Sequence, residues 1–271
     1  MIVLPLTAFE LAESALQEVE CNHLFVRAVL EGTVDGEVWV DVWPEPRAFY
    51  VRHPYGMSLA FGDPDAFTRW TAFWNFLRDF GRNKAKDEWL QAWPPAVADA
   101  IDAFAKLAPE GRMERQVRVN FSFDPARFAD YQPEAAGSSA GATILRTGVF
   151  EYEGLEGIVH PRCFWRDREA FLRDGVGFSL VCEGKVAATA FSAFIHGTQL
   201  EIGIETAPDF RGRGCAALVC RRLIDYCLKR ELEPVWSCRL SNLASMRLAQ
   251  RIGFEPIREL PYFRLLGSSS L

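Results

Sequence analysis

Excess basic charge is missing from this chain of 271 residues: 36 Asp and Glu outnumber 30 Lys and Arg, leaving a formal net charge of −6. A general nucleic-acid binder carries a basic face, so that class is set aside, although a local basic pocket stays open. Long apolar runs are missing too. No stretch approaches the roughly 18 residues a membrane-spanning helix needs, and Met1-Ile2-Val3-Leu4-Pro5-Leu6 lacks the basic leader and apolar core of a secretory signal. A disulfide framework is likewise absent: the seven cysteines are odd in number and contain no C-x-x-C pair, which suits reduced, buried thiols of a cytoplasmic protein. Histidine is scarce, with four residues. His160 and Cys163 stand close together in His-Pro-Arg-Cys, but two ligands do not make a metal site, so no metal is expected.

What the chain does have is apolar bulk. It is 49% hydrophobic, with 21 Phe and 8 Trp, enough for one large domain or two ordinary ones. The clearest break is QPEAAGSSAGA over 132–142, polar and without periodicity, which reads as a linker between domains at 1–131 and 143–271. Before it, the patterns predict helices over 8–20, 64–80 and 95–107 and strands over 24–31, 36–43, 46–53, 57–61, 88–93 and 113–123. Trp70, Phe73, Trp74 and Phe76 read as core. After it, helices are predicted over 150–157, 164–174, 214–230 and 243–252, and strands over 176–182, 185–194, 198–206, 235–239 and 256–264. The helix over 214–230 is expected to bury Ala216, Val219, Cys220, Leu223, Ile224 and Cys227. Both halves then read α-β-β-β-α-β-α-β, apart from a further short strand over 57–61 in the first and a further leading helix in the second, which suggests an internal structural repeat of an α/β (α+β) class.

The most informative segment is Ile204-Glu205-Thr206-Ala207-Pro208-Asp209-Phe210-Arg211-Gly212-Arg213-Gly214-Cys215-Ala216. A strand ends in an Arg/Gly loop that opens a helix. The first amides of a helix lack intrahelical partners and sit at the positive end of its dipole, so the loop is an anion cradle suited to a phosphate-bearing ligand. At the matching turn of the first half stands Phe61-Gly62-Asp63-Pro64-Asp65, whose carboxylates repel a phosphate. Glu201 and Glu205 alternate onto one face of the strand, with Leu200, Ile202, Ile204 and Thr206 on the other. A solvated strand face is the alternative weighed against a functional role for the two carboxylates.

Arg211, Gly214 and Ala216 match the pattern (Gln/Arg)-x-x-Gly-x-(Gly/Ala). Asn242-Leu243-Ala244-Ser245-Met246-Arg247-Leu248 with Gly253-Phe254 matches a later N-x-x-[A/S]-x-x-L…G-F block. On these motifs the stretch 143–265 resembles the GNAT superfamily of acyl-CoA-dependent N-acetyltransferases. The wording of the helix, ALVCRRLIDYCLKRELEPVWSC, is similar to a bacterial subgroup that includes zwittermicin A resistance acetyltransferases and carries an extra N-terminal region. The resemblance implies a GNAT fold, a mixed and mostly antiparallel sheet flanked by helices, preceded by a degenerate GNAT-like domain without a cofactor loop.

It also implies acetyl-CoA as cosubstrate. Backbone amides of Arg211, Gly212, Arg213, Gly214, Cys215 and Ala216 would hold its pyrophosphate. The strand edge at Ile204, Glu205 and Thr206 would pair with the pantetheine arm, with Asn242 and Ser245 approaching from the later helix. Glu201 and Glu205 are the candidate bases for a direct transfer to the primary amine of a small molecule, Glu205 lying nearer the loop. Many family members place a Tyr general acid where this chain has Ala249, and Tyr262 is the substitute if the last strand turns inward. That departure keeps a rival open, a catalytically silent acyl-CoA-binding sensor or scaffold. Neither nucleic acid nor membrane is an expected partner, and the first half leaves room for a homodimer.

Overall fold

The computed structural model describes residues 1–107, 112–131 and 142–270. The first half runs β1 (Ile2–Val3), α1 (Phe9–Leu16), α2 (Leu24–Leu30), β2 (Glu37–Val40), β3 (Ala48–Arg52), β4 (Met57–Gly62), α3 (Pro64–Arg69), α4 (Thr71–Arg78), α5 (Phe80–Asn83), β5 (Glu88–Trp93), α6 (Pro95–Leu107), β6 (Met113–Phe123) and α7 (Pro125–Asp130). The second runs β7 (Thr143–Arg146), α8 (Val149–Gly154), α9 (Arg168–Asp174), β8 (Gly177–Cys182), β9 (Lys185–His196), β10 (Gln199–Thr206), α10 (Cys215–Lys229), β11 (Glu233–Val235), β12 (Ser237–Arg239), α11 (Leu243–Arg251) and β13 (Phe254–Leu265). The mixed α/β class expected from the sequence is the class observed.

One expected strand is a helix. LFVRAVL over Leu24–Leu30 is buried at six of its seven positions, Arg27 excepted, and an apolar run of that length has no period to separate a buried helix from a buried strand. The helix predicted over 64–80 is broken: Trp70 leaves helical geometry at φ −81°, ψ 69°, which separates α3 from α4. With the first correction both halves share the order β-α-α-β-β-β-α-β-α-β, with the three consecutive helices α3–α5 standing for one, β11 and β12 together standing for one strand, and α7 following the first repeat.

The chain divides into two compact units that are discontinuous in sequence. The first comprises 1–119, 239–241 and 258–271; the second comprises 120–238 and 242–257. This differs from contiguous domains at 1–131 and 143–271. The cause is a long-range pairing that no local pattern carries: the end of β13 is antiparallel to β5, with Phe263 opposite Leu90, Arg264 opposite Trp89 and Leu265 opposite Glu88. Of the expected linker 132–142, all but residue 142 lies outside the described residues.

In the first unit β2, β3 and β4 form an antiparallel meander, and β4 runs parallel to β5. Trp39, Tyr50, Phe67, Trp70 and Phe73 form its buried centre, with Trp74 and Phe76 packed against it. In the second unit five strands follow the order β11-β10-β9-β8-β7. α10 covers one face, where Tyr226 meets Phe178 at 6.1 Å. It buries Cys215 and Ala217 along with Val219, Cys220, Leu223, Ile224 and Cys227, whereas Ala216 is half-exposed. The other face carries α8, a 3-10 turn at Pro161–Cys163 and α9, with Phe164 set 5.6 Å from Phe191 and 5.5 Å from Phe194.

Candidate active site

The decisive geometry is a pair of parallel strands that come apart. β10 pairs with β11 at only three positions, Gln199–Glu233, Leu200–Pro234 and Glu201–Val235. Beyond Val235 the chain departs: the Trp236 carbonyl accepts the Phe121 N–H, and β12 is bonded to β6. Residues Ile202–Thr206 therefore keep β9 on one edge and, among the described residues, have no strand on the other. At the apex β9 carries a bulge, since Glu201 lies opposite Phe194 but Ile202 lies opposite Ser192. A bulge adds local twist, and a diverging partner relieves it. Ile204 and Thr206, assigned to a packed face by alternation alone, are half-exposed beside this opening.

The free edge leads to the Arg/Gly loop. Gly212 and Gly214 have φ of +76° and +80°, and a side chain there would meet nothing within 4 Å, so the loop is open as well as left-handed. Gly214 caps α10, and Ala217 is the first residue of that helix to close a turn, onto the Gly214 carbonyl at 3.1 Å. The amides ahead of it are those a helix N-terminus offers to an anion. Cys215 is buried, and that burial raises its thiol pKa, so its part in the loop is its backbone. The Arg213 guanidinium lies over the Phe210 ring. Arg211 instead turns back: Nε donates to the Thr206 carbonyl at 3.1 Å and Nη2 to Glu205 Oε1 at 3.2 Å.

The two strand carboxylates are buried rather than solvated, at 5% exposure for Glu201 and 8% for Glu205. Glu201, at the apex, accepts the Ser237 hydroxyl at 3.0 Å, a bond reaching from β10 to the departing strand. Glu205 accepts four donors. Oε2 takes the N–H groups of Ile158 and Val159, both at 3.1 Å, and Oε1 takes Thr206 N–H and Arg211 Nη2. Gly157 makes this approach feasible, because a Cβ there would sit 2.5 Å from Glu205 Cγ and Cδ.

Asn242 caps α11, its Oδ1 accepting the Ser245 N–H at 3.2 Å. Ser245 Oγ in turn accepts Nε1–H of the buried Trp236, next to the point of divergence. Ala249 is fully buried. Tyr262 belongs to the first unit, where its ring stacks on Trp89 at 5.2 Å.

His160 and Cys163 enter the site through contacts between distant parts of the chain. Cys163 Sγ lies 3.3 Å from His160 Nδ1, on the loop whose Ile158 and Val159 bond Glu205. Burial is the main cause that lowers the His160 pKa, with the nearby Arg162 cation next. Sequence reasoning treated the pair as a failed metal site; no signal in the sequence links 158–163 to 205.

The first unit has the same strand order without the opening. β4 and β5 pair continuously from Met57–Trp89 to Phe61–Trp93. At the turn that follows, Asp63 accepts the Asp65 N–H at 2.8 Å and Pro64 starts α3. The helix start is thus capped by a carboxylate of its own, which leaves no cradle for an anion.

A family model described as GNAT acetyltransferase matches residues 151–263. The chain is 23% identical over 237 residues to the uncharacterised N-acetyltransferase YdfB of Bacillus subtilis (strain 168), covering 87% of each. A GCN5-related N-acetyltransferase-like protein from Streptococcus suis 89/1591 superposes with a TM-score of 0.69 at 21% identity, over 94% of this chain and 97% of that one. A tandem GNAT protein from the clavulanic acid biosynthesis pathway gives 0.61 at 14% identity, over 97% of both. These likenesses show the fold, two GNAT-like domains in tandem. Residues 151–263, less than half of the chain, are thus similar to GNAT acetyltransferases in sequence as well as in fold.

Proposed function

We propose that the second unit transfers the acetyl group of acetyl-CoA to a primary amine of a small molecule, directly within a ternary complex. The observation that carries this reading is the opened strand pair. The unpaired edge at Ile202–Thr206 can add the pantetheine arm as a further strand, and it leads straight to the amides of Gly212–Ala216 for the pyrophosphate. Ile204, Glu205, Thr206 and Arg211 through Ala216 would hold the cosubstrate, with Asn242 and Ser245 on the departing side. Acetyl-CoA supplies an activated acyl thioester and a thiolate leaving group.

Glu201 and Glu205 set two negative charges along the strand and favour a cationic acceptor such as a polyamine, an amino sugar or an amine-bearing antibiotic. The antibiotic class also follows from the likeness to zwittermicin A resistance acetyltransferases. A cytoplasmic setting, where acyl-CoA and reduced thiols occur, completes the reading. The test is CoA release from acetyl-CoA over a panel of such amines. Turnover with at least one is expected; none with any acyl-CoA sinks the proposal.

The buried Ala249, where many family members carry a Tyr acid, favours a second reading, an acyl-CoA-binding module without turnover. Binding of acetyl-CoA with no turnover across the panel would select it.

A further inference from the structure

Glu205 is the obvious base by position, yet its acceptor capacity is full. A carboxylate offers about four lone-pair sites, and Ile158 N–H, Val159 N–H, Thr206 N–H and Arg211 Nη2 take four. A group so engaged fixes the two segments it joins and has little left with which to draw a proton from a substrate.

The loop it fixes crosses the same face of β10. Val159 lies at Glu205. Phe164, at the other end, rests on Phe191 and Phe194, the strand partners of Gly203 and Glu201. His160 and Cys163 thus span the level of residues 201–205, where the strand pair opens. The loop is held on its second side by Arg162, whose guanidinium donates to the carbonyls of Tyr152, Glu153 and Leu155 at the end of α8. Such a cap satisfies helix-end carbonyls.

We infer that the His160 imidazole, oriented by Cys163, accepts the proton of the incoming ammonium, and that Glu205 is a positioning residue holding the loop that presents it. This rests on the acyl-transfer reading above. Cys163 S–H donates to the Ile158 carbonyl at 3.7 Å, and its sulfur rests against the imidazole, 3.3 Å from Nδ1 and 3.8 Å from Nε2. The proton is assigned to the nearer nitrogen, Nδ1, which leaves the Nε2 lone pair for the substrate. The charged and titratable groups facing the ring are Arg162 and Cys163 from its own turn and Glu205 from β10. Burial and Arg162 outweigh Glu205, so the ring is neutral near pH 7 and able to take a proton.

The step balances. His160 Nε2 takes one proton from the ammonium, and the freed amine forms a C–N bond to the acyl carbonyl carbon. The C–S bond breaks, the thiolate takes the second amine proton, and His160 returns its own to solvent.

Two measurements on the full chain decide it. Imidazole nitrogen NMR of labelled protein, with resonances assigned by single His→Gln variants, reads the tautomer without turnover. Above pH 7 His160 should carry its proton on Nδ1 and should titrate below about 6.5. Protonation on Nε2, or titration above that value, overturns the inference. The pH profile of kcat/KM should show an acid limb that His160→Gln and His160→Asn abolish, with activity down on the order of 100-fold and acetyl-CoA affinity within a factor of about three. Glu205→Gln should keep the limb. A limb that survives in the His160 variants, or vanishes in Glu205→Gln, also overturns it. Absence of turnover in the wild type would defeat the acyl-transfer reading instead, and the tautomer would still be measured.

Discussion

Glu205 and Arg211 form an ion pair, Oε1 to Nη2 at 3.2 Å, that joins the end of β10 to the loop opening α10. The Arg211 side chain is 60% exposed, so the charge attraction itself contributes little. The consequence lies in the other bonds of the same carboxylate, to Ile158 and Val159. One side chain fixes the loop at Ile158–Val159 and the loop opening α10 at once.

Glu205→Gln leaves one oxygen to accept and turns the other atom into a donor facing donors. Charge-assisted bonds contribute about 1.5–3 kcal/mol each, so a loss on the order of 2 kcal/mol is expected in urea unfolding. KM for the amine should rise more than KM for acetyl-CoA. An unchanged unfolding midpoint would show that the four bonds do not hold the loop.

Gly157→Ala and Gly212→Ala separate crowding from backbone strain. Both glycines have positive φ, +129° and +76°. Only at Gly157 does a Cβ collide, 2.5 Å from Glu205. Strain alone costs about 1–2 kcal/mol. Gly157→Ala should therefore be the more destabilising of the two, with reduced kcat, as compared by denaturant midpoints and initial rates. Equal midpoints would contradict the close approach.

Acetyl-CoA should bind with a stoichiometry of one per chain, because β4 and β5 are paired throughout and Asp63 caps the turn that follows. Isothermal calorimetry reads the number. Stabilisation of about 2.7 kcal/mol is expected with ligand at 100 times its dissociation constant. Two equivalent sites would show that the first unit opens in solution.

His53 should make the first unit acid-sensitive. It is 1% exposed, its Nδ1 accepts the Tyr55 N–H at 3.1 Å, and burial pushes its pKa down to about 3. The folded value lies below the unfolded value of about 6.5. Its stabilisation is therefore complete above pH 6.5 and is lost as pH falls toward 3, at up to about 1.4 kcal/mol per pH unit. His53→Asn keeps an acceptor in place and cannot charge. Its stability should depend less on pH across that window in denaturant titrations; a parallel dependence would exclude His53 as the cause.

The loop Arg211–Ala216, the strand before it and the helix after it were legible in the sequence because each is a local pattern. Glycines at a turn, a strand of alternating residues and an apolar stripe at helical spacing all act within a few residues. The acidic turn at Asp63 was legible for the same reason. The strand expected at 24–31 failed because a fully apolar run carries no period. The solvated-face alternative for Glu201 and Glu205 does not hold, because alternation assigns faces without telling which face is covered.

The sequence by itself thus determined the class of the fold, the repeat of its elements and the glycine turn that opens α10. Tertiary structure alone decided that β10 and β11 separate after Glu201–Val235, that β13 ends beside β5, and that Ile158 and Val159 fill the acceptors of Glu205. Each of these joins residues tens of positions or more apart, through hydrogen bonds that depend on which edges and faces the packed chain leaves available. Local propensity has no access to that choice, and with it goes the placing of His160 beside the strand.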